Sequence, residues 1–282
     1  MSQLVLSTKY ISRDILLDGR KRAEYLRRLN LAGFGLLHFD FNQFRPDELL
    51  SERCIVDIFD DILKSGLKVV NSHIYVNPYE NIWSENQSCT EIFIWEIIDK
   101  CLYYNRLFGI SDTVYHVPEA NDFNIVKCQK FILQIPYLIE KSLKFKTRIC
   151  LENHYNQRID NFIFKYLFEK YDKNELLMTF DVGHYFISKN SRIIDENFYN
   201  RLRIVHLHDN DGKEDQHRIP NFDKKREFWN LLFNKIREME NTVSVVFEIR
   251  ENAKIKKFDD TQDIELTYAA LKMFFDYYMN KM

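Results

Sequence analysis

Two hydrophobic patterns alternate along the chain. Short β-rich runs recur at QLVLST (3–8), GFGLLHFDF (33–41), LKVVNSHIYV (67–76), DTVYHV (112–117), TRICLEN (147–153), LLMTFDVGH (176–184), LRIVHLHD (202–209) and TVSVVFEIR (242–250). They are rich in Val, Ile, Leu, Phe and Tyr, as suits strands buried on both faces. Between them, apolar residues return at helical spacing. In 46–66, Leu49, Leu50, Ile55, Ile58, Phe59, Ile62 and Leu63 trace one face, and Gly66 stands where the helix should end. Similar amphipathic stretches cover about 18–30, 89–108, 121–144, 157–172, 192–201, 222–239 and 260–280. Pro136 is expected to kink or divide its helix.

Eight strands alternating with eight helices require parallel neighbours, and eight such units close into an α/β (β/α)₈ TIM barrel. An open doubly wound sheet is the alternative fold. No internal repeat, low-complexity tract or Gly/Ser-rich linker interrupts the alternation, so residues 1–282 are expected to form one domain.

Composition adds less. At 45% hydrophobic and 15% aromatic residues, the chain can pack a bulky layer between sheet and helices. A net charge of −2 supplies no global field to attract nucleic acid. The dense basic stretches KTR (146–148), DKKRE (223–227) and KIKK (254–257) read as solvated helix ends or turns. The five cysteines lack C-x-x-C spacing and read as reduced thiols of a cytoplasmic protein. No signal-peptide pattern and no membrane-length apolar run is present, so a soluble protein is expected, with a homo-oligomer left open.

The chemistry gathers at the C-terminal ends of the runs. Strand three ends on His73, four on His116 and five on Glu152. Strand six ends on Asp181-Val-Gly-His184, seven on His206-Leu-His208-Asp209 and eight on Glu248. In a barrel these ends share one mouth. One such residue alone reads equally well as a cap, an ion pair or a core histidine. Six successive strands ending this way point to a divalent metal, since clustered acids are costly to bury without a cation. Mixed oxygen and imidazole donors suit Zn, Mn, Fe or Co better than Ca.

The strings ICLENH, TFDVGH, VHLHDNDGKEDQH and VVFEIR make the chain resemble the xylose isomerase-like barrel superfamily, which includes sugar isomerases, sugar epimerases and endonuclease IV. Resemblance to the epimerase branch implies one metal held by Glu152, Asp181, His206 and Glu248, with His184 on the substrate. Resemblance to endonuclease IV implies up to three ions and adds His73, His116, His184, Asp215 and His217. The resemblance favours His206 over His208 as ligand. His208, Asp209 and Asn153 then stand behind the ligands, orienting them, or against the substrate, with capping the alternative for Asp209. His38 and His154 are read as structural. Phe39, Tyr75 and Tyr115 are read as barrel packing, with cover for a sugar face as the alternative. The Asp215-Gln-His217 loop continues without the expected glycine, so its shape is its own.

Three functions follow. The first is a metal-dependent isomerase or epimerase of a small sugar or sugar phosphate, with Glu152 and Glu248 as catalytic base and acid in proton transfer through an enediolate. The second is an endonuclease IV-like phosphodiesterase acting on abasic DNA, against which stands the shortage of basic phosphate-contacting loops. The third is a non-catalytic sugar- or metal-binding barrel.

Overall fold

Apolar runs between polar helices leave few ways to bury both faces of every strand, and a closed wall is the one adopted. The structure, a computed structural model, describes residues 2–75, 88–118, 123–189, 199–221, 225–239, 241–250 and 261–279. The strands are β1 (Gln3–Ser7), β2 (Leu36–Asp40), β3 (Lys68–His73), β4 (Asp112–His116), β5 (Arg148–Glu152), β6 (Leu176–Asp181), β7 (Leu202–Leu207) and β8 (Ser244–Phe247). All pair in parallel with their sequence neighbours, and β8 closes on β1 with Leu4 opposite Val245 and Val5 opposite Val246. That closure excludes the open doubly wound sheet.

Local chemistry sets the helix boundaries. Asp18 caps Gly19–Ala32 by accepting from Arg20 N and Lys21 N at 3.1 Å, while Asn124 and Asn156 cap Ile125–Lys144 and Gln157–Lys170. At the far end of Glu52–Lys64, Gly66 takes φ 82°, and Leu67 N reaches back to Ile62 O at 3.2 Å, closing the last turn.

Three expectations change. The stretch 46–66 is two helices, Pro46–Leu50 and Glu52–Lys64, broken at Ser51. Helix Ile125–Lys144 runs undivided through Pro136, although that residue offers no amide to Ile132 O. Strand 176–184 stops at Asp181, and Val182–Ser188 is a helix. Most of the helix expected over 192–201 lies outside the described residues.

Two apolar layers result. Outward-facing strand residues pack against the helices; Phe39 lies among Phe41, Phe44 and Phe59, and Tyr115 stacks on Phe131. Phe39, Tyr75 and Tyr115 all belong to this layer. Inside the barrel, Val5, Val114, Cys150, Leu177, Ile204 and Val246 form a separate cluster. Filling the interior with branched side chains makes it a packed floor rather than a pore. Among the described residues no helix is long and apolar enough to cross a membrane.

Candidate metal centre

Side chains alternate along a strand, so the inward residue two places beyond the floor sits at the mouth. Cys150 is followed by Glu152, Val114 by His116, Ile204 by His206 and Val246 by Glu248. Register then sets donors side by side: His116 pairs with Glu152, and Asp181 with His206. Glu152, Asp181, His206 and Glu248 are all buried, with ligand atoms within 4.8 Å of one another.

Two further donor groups flank this tetrad. His73, His116 and Glu152 form one; His208, Asp215 and His217 form the other. Glu152 joins the first to the tetrad. Its Oε1 lies 3.0 Å from His206 Nδ1, and its Oε2 lies 3.2 Å from His73 Nε2 and 2.9 Å from His116 Nε2.

Three histidines are held through Nδ1. His184 Nδ1 donates to Asn153 O at 2.8 Å and His217 Nδ1 to Glu248 O at 2.7 Å, while His73 Nδ1 lies 3.0 Å from Ile74 O and 2.9 Å from Asn42 Nδ2. Each therefore presents Nε2 to a carboxylate: His73 to Glu152, and His184 and His217 to Asp215 at 3.8 and 2.7 Å. Anchoring one ring nitrogen on a carbonyl is how metal-binding imidazoles are oriented.

The β5–β6 edge is tied by Asn153, whose Oδ1 accepts from Asp181 N at 2.7 Å and whose Nδ2 donates to Asp181 O at 3.0 Å. Asp181 itself splits its oxygens. Oδ1 caps helix Val182–Ser188 by accepting from His184 N at 2.7 Å, leaving Oδ2 3.2 Å from His208 Nε2. Gly183 is required here: a Cβ would lie 1.8 Å from His208 Cε1. His217 takes φ 49° in the stretch after Gly212 that lacks a further glycine, a left-handed conformation costing roughly 1 kcal/mol.

The electrostatics demand positive charge. Burial alone would push the carboxylates up, yet His116 and His206 hold Glu152 well below its ordinary range, and His184 and His208 do the same for Asp181. Reciprocally, burial disfavours the His184 imidazolium, but Asp181, Glu152 and Asp215 raise it to about 9. His206 and His208 are raised against burial by the same acids, joined by Glu248. His206 Nε2 and His208 Nδ1 are buried without a hydrogen-bond partner among the described residues. Protonated imidazoles answer a demand that a divalent cation meets with the same donors, so the residues fit a metal.

The other sequence candidates find definite places. Asp209 pairs with Lys225, whose Nζ lies 2.5 Å from its Oδ1, and its backbone bridges Arg218. His208 faces inward beside Asp215 and His217, the same-face position expected from strand alternation. His154 is a buried structural group whose Nδ1 accepts from Asn156 N at 3.2 Å. His38 bonds Asn71 Oδ1 at 2.6 Å but also lies with His206 and Glu248 in a possible donor group, closer to the chemistry than a structural reading implies. In KTR, Arg148 begins β5, away from the mouth, and pairs with Asp112 at 2.7 Å. KIKK lies outside the described residues.

Two site residues went unread. Lys9, just past β1, has Nζ 2.7 Å from Glu248 Oε1 and 3.9 Å from Asp40 Oδ2, and Asp40 ends β2 fully buried. Burial opposes the Lys9 charge, but Glu248 and Asp40 hold it above the ordinary lysine value. Asp40 could have been found by applying the strand-end rule to β2. Lys9 carried no comparable signal.

Comparison with known proteins follows the same lines. A D-tagatose 3-epimerase-like protein is 18% identical with TM-score 0.69, covering 99% of this chain and 98% of that one. A sugar phosphate isomerase/epimerase from Parabacteroides distasonis is 17% identical with TM-score 0.65, over 97% and 95%. A xylose isomerase-like TIM barrel protein from Mycobacterium smegmatis, in complex with magnesium, is 10% identical with TM-score 0.68, over 99% and 98%. At these identities the likeness is one of fold. No curated protein matches the sequence. The family model for the xylose isomerase-like TIM barrel matches residues 24–271, and the chain belongs to that family.

Proposed function

We propose that the protein is a metal-dependent isomerase or epimerase of a small sugar or sugar phosphate. The observation that carries this reading is the buried tetrad, which sets Glu152 and Glu248 around Asp181 and His206 within one ion's reach. Asp181 and His206 would hold the ion, with Glu152 and Glu248 completing the set. Zn, Mn, Fe or Co fits these donors. When bound, the ion supplies Lewis acidity that makes the C–H beside a carbonyl easier to ionise. Glu152, kept ionised by His116 and His206, takes that proton as base. Glu248, whose carboxylate Lys9 and then His206 and His217 stabilise, returns one only from its protonated form. The proton left on Glu152 passes back to Glu248 through solvent before the next turnover. The structural neighbours that act on sugars support the same class of substrate.

The test is solvent deuterium. Metal-loaded protein is incubated with ketopentoses and ketohexoses in D₂O, and label beside the carbonyl is read by NMR. Incorporation that stops on chelation and returns with metal supports the reading.

A second reading, phosphoester hydrolysis by a metal cluster of the endonuclease IV kind, is favoured by Glu152 giving one oxygen to each of two donor groups, with the Asp215 group beyond. Two or three ions per chain, cleavage of an abasic duplex and no deuterium incorporation select it over the first.

A further inference from the structure

At the seam where β8 meets β1, the mouth carries a cationic corner outside the donor groups. A cavity of about 370 Å³ lies there, walled by Lys9, Arg13, Asp40, Asn42, Gln43 and Arg250 among others. Its walls are also walls of the metal site. Lys9 Nζ lies 2.7 Å from Glu248 Oε1, Asn42 Nδ2 lies 2.9 Å from His73 Nδ1, and Arg250 N donates to His217 O at 3.0 Å.

The three cations are held differently. Arg13 is tied through two guanidinium nitrogens to both Glu48 oxygens. Lys9 is one charge divided between two acids, Glu248 and Asp40. The Arg250 residue is exposed to solvent and makes no ion pair among the described residues.

We propose that this corner is an anion subsite, taking the terminal phosphate or carboxylate of a sugar whose carbonyl end lies between Glu152 and Glu248. The proposal rests on the isomerase/epimerase reading. A cation held by Glu248 offsets that carboxylate and leaves Lys9 to balance Asp40, which lines the same cavity, so the net positive charge of the corner is that of Arg250. Arg250 adds a planar fork able to grip two anionic oxygens. The volume is within the usual range for small-molecule sites, about 300–1,000 Å³. The corner thus gives the substrate a direction, with its anionic end at the β8–β1 seam and its reacting carbons over the tetrad.

The experiment compares three ligands on one carbon chain: a free ketopentose, its terminal phosphate ester, and the same sugar with the terminal carbon oxidised to a carboxylate. Each is titrated calorimetrically into metal-loaded full-length protein and into Arg250→Gln, with metal content measured on the same samples. The expected result is an advantage of about tenfold or more for one anionic form over the free sugar, falling to about twofold or less in Arg250→Gln. The form that gains identifies the anion. The proposal is overturned if neither anionic form binds wild type more tightly than the free sugar. It is equally overturned if Arg250→Gln keeps the full advantage, because the anion then sits on the metal rather than in the corner. Protein that retains no metal but still prefers the anion rejects the metal reading and leaves the subsite standing.

Discussion

The floor of the barrel and its mouth are built by the same strands, two residues apart, and obey opposite rules. At the floor, Val114, Cys150, Ile204 and Val246 meet only one another and their apolar neighbours. At the mouth, His116, Glu152, His206 and Glu248 bury charge that is tolerable only because each acid faces an imidazole or Lys9. The floor adds stability in proportion to the area it removes from water. The mouth uses that dry foundation, where charges interact more strongly than in solvent. Two residues along a strand separate the part that holds the barrel shut from the part that gathers the donors.

That separation can be broken from either side. The largest effect is expected at the mouth: Glu152→Gln or Glu248→Gln lowers deuterium exchange by about 10²- to 10⁴-fold, with the circular dichroism spectrum unchanged. Unfolding by either change would merge the two layers and defeat the comparison. At the floor, Ile204→Ala is expected to cost about 2–4 kcal/mol in urea denaturation while metal content holds. Metal removal sits between. Chelation should lower stability by about 2.7 kcal/mol relative to protein in free metal at a hundred times its dissociation constant, read as a thermal shift. A pH-dependent effect concerns His38, which lies between the layers with its ring 5.1 Å from that of His206. Burial first, then His206 and His73, lower its pKa to about 3. The unfolded chain, titrating near 6.5, binds that proton more readily, so stability present above pH 6.5 falls as pH drops toward 3. For one residue the slope is at most about 1.4 kcal/mol per pH unit, and His38→Gln in chelated protein should flatten the urea-midpoint profile by that much.

Much of this layout was readable in the chain. Periodicity shows a buried strand directly, and a donor closing such a run has few places to go but the mouth. That rule put Glu152, Asp181, Glu248 and both His206 and His208 among the candidates, the family resemblance singled out Glu152, Asp181, His206 and Glu248, and the structure brings those four within one ion's reach. The rule faltered where the backbone changes state. His184 belongs to a helical turn capped by Asp181, not to the strand, and Ser51 breaks what periodicity alone joins. Lys9 was invisible for a different reason. A lysine after an edge of apolar residues looks like any solvated turn, and its partner Glu248 lies far away in sequence. Asp209 sits three places from one histidine and next to another, yet its carboxylate pairs with Lys225, beyond the loop, a partner that no pattern in the chain signals.

The β8–β1 seam has a consequence for biosynthesis. Glu248 follows the last strand and Lys9 the first, so the fourth donor of the tetrad and its counterion meet only when the ring is complete. A nascent chain that has emerged only through β7 carries Glu152, Asp181 and His206 but not the ligand that closes the set. In the proposed metal site, tight capture would therefore be an event of the final closure, and the ion would act as a late-arriving inspector that binds well only to a barrel already assembled.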